Sequence, residues 1–188
     1  MIDQGLIDSN IITVRQSLIN RTDIGLDYAY ALTDVFSADM IEKIKQEFDS
    51  NTTWDKVDLQ ENFSRKIIPW KPESVIEEVY MVFQDLEQEV SDTFSRQLKF
   101  QSVNFWQDSP GYTISPHIDN NRISVAMQIY INQAHYTAGT EMYKDGDLFY
   151  KLPWASNTGY ILSNTDKSMH GMLTKVNTLR QHIYVIFK

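Results

Sequence analysis

Residues 110–132 read PGYTISPHIDNNRISVAMQIYIN, and the second part of this stretch decides the fold. Between residues 123 and 131 two kinds of side chain alternate along the chain. One set is apolar and the other is small or polar: Ile123, Val125, Met127, Ile129 and Ile131 against Ser124, Ala126, Gln128 and Tyr130. Because successive side chains of a strand point to opposite faces, this alternation predicts a β-strand. We expect its apolar face to pack in a core and its polar face to line a cavity.

The same period of two continues through the C-terminal half of the chain. The other predicted strands are 99–107, 111–116, 139–144, 147–151, 158–163, 169–174 and 180–187. Asp145 and Gly146 lie between two of them, and an Asp-Gly pair favours a tight hairpin because it tolerates positive φ. Short strands at this spacing predict an antiparallel sandwich or barrel.

Helical spacing is confined to the N-terminal half. Ser37 is a candidate N-cap for one helix, and a longer helix is predicted over 72–94. We expect strands at 11–14 and 26–32, and irregular structure over 51–71. The prediction is a single domain spanning 1–188, mainly β with supporting N-terminal helices (an α+β fold). Residues 1–98 would supply the support and residues 99–188 the barrel core.

Composition excludes several classes of site and partner. The chain has 17 basic and 25 acidic residues, a net charge of −8, which disfavours nucleic acid and anionic membranes as partners. It has no cysteine, so any metal must be held by His, Asp or Glu. No apolar run approaches the roughly 18 residues of a membrane span, and the N-terminus lacks the pattern of a secretory signal. We therefore expect a cytoplasmic protein.

A His-x-Asp pair, His117 and Asp119, precedes the strand at 123–131. Residues i and i+2 of an extended chain share a face, so both side chains can reach one metal. His170 lies near the start of a late strand and is a candidate third ligand. Two histidines and one carboxylate leave coordination positions open, as non-haem Fe(II) needs for a co-substrate and O₂. The alternative is a surface loop in which Asp119 only shapes a turn.

Further matches surround these three residues in the same order along the chain. They are Pro110-Gly111-Tyr112, Pro116-His117-Ile118-Asp119, Gln128-Ile129-Tyr130-Ile131-Asn132, Gly139-Thr140, His170-Gly171 and Arg180. In order and spacing, residues 99–188 resemble the Fe(II)- and 2-oxoglutarate-dependent oxygenases, in particular their prolyl-hydroxylase-like branch.

The resemblance implies a double-stranded β-helix, which is a jelly-roll, cupin-like barrel. It implies Fe(II) held by His117, Asp119 and His170, and 2-oxoglutarate with its far carboxylate on Arg180 and Tyr130. With O₂, such an enzyme converts 2-oxoglutarate into succinate and CO₂ while it oxidises a substrate. The family's halogenases replace the carboxylate ligand with a small residue, so Asp119 favours hydroxylation here.

The remaining candidate residues are assigned with less support from the motifs. Gln128 lies on the polar strand face, and His182 shares a strand face with Arg180, where many family members have a small residue. His182 would either contact the co-substrate or be a hydrogen-bonded core histidine. Arg65, Trp106 and Tyr112 are candidates for binding the substrate, which is either a protein side chain or a small molecule.

Two other functions fit parts of the pattern. A cupin-like metalloenzyme that does not use 2-oxoglutarate would share the barrel, but it usually has His-x-His and a Glu. A non-catalytic barrel used for binding or structure commonly lacks a ligand or the arginine, whereas this chain has all four. A nucleic-acid demethylase usually has a second Arg six residues after the first, where this chain has Ile186.

Overall fold

The computed structural model describes residues 2–60, 63–133 and 138–188. Within these ranges the helices are α1 (Gln4–Ile19), α2 (Ala38–Ser50), α3 (Val75–Asp85) and α4 (Glu87–Thr93). The first strands are β1 (Thr22–Leu26), β2 (Ala29–Thr33), β3 (Asp55–Gln60), β4 (Phe63–Ile67), β5 (Phe100–Asp108) and β6 (Ile114–His117). The others are β7 (Val125–Tyr130), β8 (Ala138–Lys144), β9 (Asp147–Pro153), β10 (Thr158–Ser163), β11 (His170–Met172) and β12 (Arg180–Phe187).

The strands form two antiparallel sheets. The larger has the order β1-β2-β10-β7-β12-β5-β4-β3, and the smaller has the order β6-β11-β8-β9. All eight strands predicted for the C-terminal half are confirmed, with small shifts at their ends. The hairpin turn between β8 and β9 is confirmed too, with φ of 53° at Asp145 and 91° at Gly146. The fold is therefore mainly β with four helices in the described part of the chain, as the sequence predicts.

Strand β7 separates the core from the polar side of the larger sheet. Val125, Met127 and Ile129 are fully buried in the main apolar cluster, which also contains side chains from all four helices. The helices thus pack on one face of the larger sheet and leave the other face for a cavity. Among the described residues, no helix is both long and apolar enough to cross a membrane.

Four local predictions in the N-terminal half are wrong. The strand expected at 11–14 is part of α1, because burial of Ile7, Val14 and Leu18 on one helical face outweighs the β-branched run. The strand expected over 26–32 is instead the β1–β2 hairpin. The segment 51–71 contains the β3–β4 hairpin, which joins the larger sheet. The helix expected over 72–94 is two helices. Helix α3 ends at its C-cap, Leu86, because the backbone N–H of Leu86 donates to the carbonyl oxygen of Phe83, three residues earlier, rather than to that of the residue four positions earlier.

Candidate active site

The three predicted metal ligands lie together at the end of the smaller sheet. His117 ends β6, Asp119 follows two residues later, and His170 begins β11, directly opposite His117 in the pairing. Nε2 of His117 lies 3.6 Å from Oδ1 of Asp119, and Nε2 of His170 lies 3.9 Å from Oδ2. One ligand atom from each residue falls within 4.8 Å of the others. Two neighbouring strands therefore bring together His117, Asp119 and His170, which form the candidate metal-binding cluster (the metal cluster).

Backbone contacts orient both imidazoles toward the carboxylate. Nδ1 of His117 is 2.9 Å from the carbonyl oxygen of Ser115, and Nδ1 of His170 is 3.0 Å from that of Ser168. Since a carbonyl only accepts, each Nδ1 carries the proton and each Nε2 keeps a free lone pair. This is the arrangement of metal-binding histidines, and the donor set of two imidazoles and one carboxylate suits non-haem Fe(II).

Two residues fix the position of Asp119. The hydroxyl of Tyr184 donates to its Oδ2 at 3.0 Å. The side-chain amide of Asn164 donates to the carbonyl oxygens of Asp119, Asn120 and Ile123, at 3.1, 3.1 and 3.0 Å. Such contacts hold a ligating carboxylate in place before a metal arrives.

The protonation states in the cluster favour metal binding. Burial alone would raise the pKa of Asp119, but the nearby imidazoles of His117 and His170 lower the pKa below the usual value. Burial lowers the pKa of His170, despite the opposing effect of Asp119. The neighbouring carboxylate of Asp119 raises the pKa of His117. An ionised carboxylate beside a neutral His170 is the state a cation requires.

A cavity of about 440 Å³ connects the metal cluster with Arg180. Its lining includes all three cluster residues and the predicted residues Arg180, Gln128, Arg65 and Trp106. The volume is in the range of small-molecule sites. A larger cleft of about 580 Å³ between the β1–β2 and β8–β9 turns contains none of the predicted site residues.

Arg180 is 2% exposed and lines this cavity. Its Nε and Nη2 donate to Oδ2 of Asp108 at 2.8 and 2.6 Å. Asp108 also accepts from Arg65, at 2.7 Å from Nε to Oδ1 and 3.3 Å from Nη2 to Oδ2. Burial would raise the pKa of Asp108, but Arg180 and Arg65 hold it well below its usual range. The sequence analysis does not identify this carboxylate.

Tyr130 and Tyr112 are fully buried and are not among the described residues that line the cavity. The hydroxyl of Tyr130 lies 2.9 Å from Oγ1 of Thr140 and accepts from its backbone N–H at 2.7 Å. Thr140 itself does line the cavity. Both tyrosines pack in a small apolar cluster with Trp154, and Tyr112 also lies under the guanidinium of Arg65, at 4.7 Å.

His182 is also fully buried and absent from the cavity lining among the described residues. Neither ring nitrogen has a hydrogen-bond partner among the residues that the structure describes, and Nδ1 lies 3.8 Å from Oδ2 of Asp108. Burial outweighs the attraction of Asp108 and, with Arg180 and Arg65, lowers the pKa of His182 well below 6.5. Burial therefore favours the neutral form of His182, which lacks, in the described part of the chain, the hydrogen bond expected of a core histidine.

Sequence reasoning missed Asp108, Asn164 and Tyr184, and it assigned no role to Thr140 beyond the Gly139-Thr140 match. Asp108 and Tyr184 could have been found from the sequence, because residues i and i+2 share a strand face. On β5, Asp108 shares a face with the candidate Trp106. On β12, Tyr184 shares a face with the candidates Arg180 and His182. The pairing of these two strands, which places Arg180 opposite Asp108, appears only in the structure.

Comparisons with known proteins give matches in structure alone. No protein-family model matches the sequence, and a search of curated proteins finds no match either. A Trichoplax adhaerens prolyl hydroxylase, solved with a hypoxia-inducible-factor peptide, superposes with a TM-score of 0.72 at 10% identity, over 100% of this chain and 94% of that one.

A Pseudomonas putida prolyl-4-hydroxylase gives a TM-score of 0.66 at 11% identity, over 95% of this chain and 98% of that one. HygX from Streptomyces hygroscopicus, with nickel and 2-oxoglutarate bound, gives 0.63 at 13% identity, over 85% and 82% of the two chains. The chain therefore has the fold of the 2-oxoglutarate- and Fe(II)-dependent oxygenases.

Proposed function

We propose that this protein is an Fe(II)- and 2-oxoglutarate-dependent dioxygenase that hydroxylates its substrate. One observation carries the proposal: a single cavity is lined at one end by His117, Asp119 and His170, and at the other by Arg180. A metal at the first end and a guanidinium at the second match the two ends of 2-oxoglutarate. The finer architecture, a closed double-stranded β-helix, remains a prediction, as does a cytoplasmic location.

The three cluster residues would hold the metal on one side and leave its other side open to the cavity. When bound, Fe(II) supplies the one-electron chemistry that O₂ needs to react with organic molecules. Overall, O₂, 2-oxoglutarate and a substrate C–H group give CO₂, succinate and a C–OH group. One oxygen atom of O₂ enters succinate and the other enters the product.

The chain's own residues bind and orient the co-substrate. Arg180 would take the far carboxylate of 2-oxoglutarate, because a buried guanidinium binds a carboxylate strongly. Thr140, rather than the buried Tyr130, presents a hydroxyl to the cavity. Gln128 and Tyr160 also line it, and the hydroxyl of Tyr160 donates to Oε1 of Gln128 at 3.4 Å. Within the described ranges, Nε2 of Gln128 is buried without a hydrogen-bond partner. That amide is a free donor for a bound oxygen atom.

The substrate is either a protein side chain or a small molecule. One structural neighbour was solved with a peptide, and HygX was also solved with hygromycin B, so this fold accepts both kinds. Trp106 lines the cavity and remains a candidate substrate contact. Arg65 lies on β4 and is buried against Asp108, although the sequence predicts irregular structure for this segment.

The test is a substrate screen of the Fe(II)-loaded protein with 2-oxoglutarate under air. Proline-containing peptides, free amino acids and aminoglycosides are offered, and mass spectrometry looks for the gain of one oxygen atom. Succinate formed together with an oxygenated product supports the proposal. A protein that binds Fe(II) and turns over without 2-oxoglutarate would be a different metalloenzyme, and one that binds neither would be a non-catalytic fold.

A further inference from the structure

Asp108 links two arginines from neighbouring strands. In the larger sheet β5 lies between β12 and β4, and the register places Arg180 and Arg65 on either side of Asp108. The carboxylate accepts from both guanidiniums at 2.6–3.3 Å. All three side chains are at least 93% buried. The two guanidiniums therefore occupy the same corner of the cavity.

This corner carries one positive charge more than it carries negative charge. Two arginines, which stay protonated in proteins, face one carboxylate. His182 adds no charge, because it is buried and its pKa is lowered well below its usual value. An unbalanced buried charge is costly unless a partner compensates it. The corner is therefore built to receive one anionic group.

Both arginines of the corner line the cavity and have donors that Asp108 does not use. Arg180 uses Nε and Nη2 on Asp108, and its Nη1 contacts only the sulfur of Met172 among the described residues, at 2.8 Å. A thioether is a weak acceptor for a charged donor. Arg65 likewise uses Nε and Nη2 on Asp108, and it lines the same cavity. A carboxylate in this corner would lie within reach of both side chains.

We propose that Arg65 is a second arginine for the distal carboxylate of 2-oxoglutarate, held beside Arg180 by the shared Asp108. This inference rests on the proposed function, and it moves Arg65 from the substrate to the co-substrate. Charge balance supports the choice, since one carboxylate neutralises the corner whereas a further anionic substrate group would leave it negative. The ring of Trp106, 4.3 Å from the Arg65 guanidinium, keeps that side chain in position.

The experiment compares two ligands that differ only at the distal end. In 2-oxopentanoate a methyl group replaces the distal carboxylate of 2-oxoglutarate, and the keto-acid end is the same. Both are titrated calorimetrically, without oxygen, into Fe(II)-loaded wild type, Arg65→Met and Lys66→Met. Lys66 is the matched control, because it follows on the same strand, loses the same charge and does not line the cavity.

Arg65→Met should weaken the binding of 2-oxoglutarate by roughly 10- to 100-fold, and it should leave the affinity for 2-oxopentanoate within about two-fold of the wild-type value. Lys66→Met should leave the affinities for both ligands unchanged. If Arg65→Met does not fold, Arg65→Gln takes its place, because glutamine keeps a donor for Asp108 but removes the charge.

An unchanged preference for 2-oxoglutarate in the Arg65 variant would overturn the inference alone. Equal weakening of both ligands would overturn it too, since Arg65 would then only maintain the structure. A wild-type protein that binds Fe(II) but not 2-oxoglutarate would contradict the proposed function itself, and the inference with it.

Discussion

The hydroxyl of Tyr184 donates a hydrogen bond of 3.0 Å to Oδ2 of Asp119. The ring of Tyr184 stacks on Trp106, with centroids 4.5 Å apart and planes 13° apart, and Trp106 lies under Arg65. One wall of the cavity therefore runs from the metal cluster to the arginine corner through three contacts. Residues from β4, β5 and β12 build it, so the larger sheet sets the distance between the two ends of the site.

Tyr184→Phe should weaken Fe(II) binding by about 10-fold, because it removes the bond that orients the ligating carboxylate but keeps the stacked ring. The measurement is an anaerobic Fe(II) titration. Tyr80→Phe is the control, since Tyr80 packs among aromatic rings on α3, outside the cavity lining. Equal affinities in wild type and Tyr184→Phe would show that Asp119 does not need this hydrogen bond.

Asp108→Asn should lower the free energy of unfolding by about 3–5 kcal/mol, because it leaves two buried guanidiniums without a counter-ion. Urea denaturation of the metal-free protein measures this change. Asp166→Asn, at an exposed loop position, should change it by less than about 0.5 kcal/mol. If the two substitutions changed the free energy of unfolding by similar amounts, Asp108 would not be needed to neutralise the charges of Arg65 and Arg180.

His182 should make the fold less stable in acid. Its pKa is near 6.5 in the unfolded chain and is lowered in the folded one. Below about pH 6.5 the unfolded chain therefore binds a proton that the folded chain does not, and stability falls by up to about 1.4 kcal/mol per pH unit.

Denaturant unfolding between pH 7.5 and pH 5, in steps of about half a unit, compares wild type with His182→Phe. The groups that face the imidazole are Asp108, Arg180 and Arg65, and the variant retains all of them. The variant should lose part of the wild-type slope in acid. Parallel curves would show that His182 is protonated in the fold, next to Asp108.

Local sequence patterns predict the C-terminal strands and two of the three candidate metal ligands. The alternation over 123–131 gives β7 because that strand separates a helix-covered core from a cavity, which is a two-faced environment. His117 and Asp119 are two residues apart on one extended segment, so their proximity is local. The position of His170 near the start of a late strand makes it only a candidate, to which the family resemblance adds support, because His170 reaches the cluster through the pairing of β11 with β6.

The arginine corner could not be predicted, because it depends on register between distant strands. Asp108 is 72 residues from Arg180 and 43 residues from Arg65 in sequence. The four wrong predictions in the N-terminal half failed for a related reason. The run at 11–14 has strand propensity, but its burial against α3 and α4 is set by tertiary packing.

Succinate formation from 2-oxoglutarate tests the central claim most directly. Wild-type protein with Fe(II), O₂ and 2-oxoglutarate, across the substrate panel, should release succinate, and a metal chelator should abolish the release. Asp119→Ala should also abolish it by removing the one anionic ligand of the cluster, whereas Asp166→Ala should leave it intact. Wild-type protein that binds Fe(II) yet forms no succinate with any substrate, or Asp119→Ala that forms it at the wild-type rate, would contradict the account.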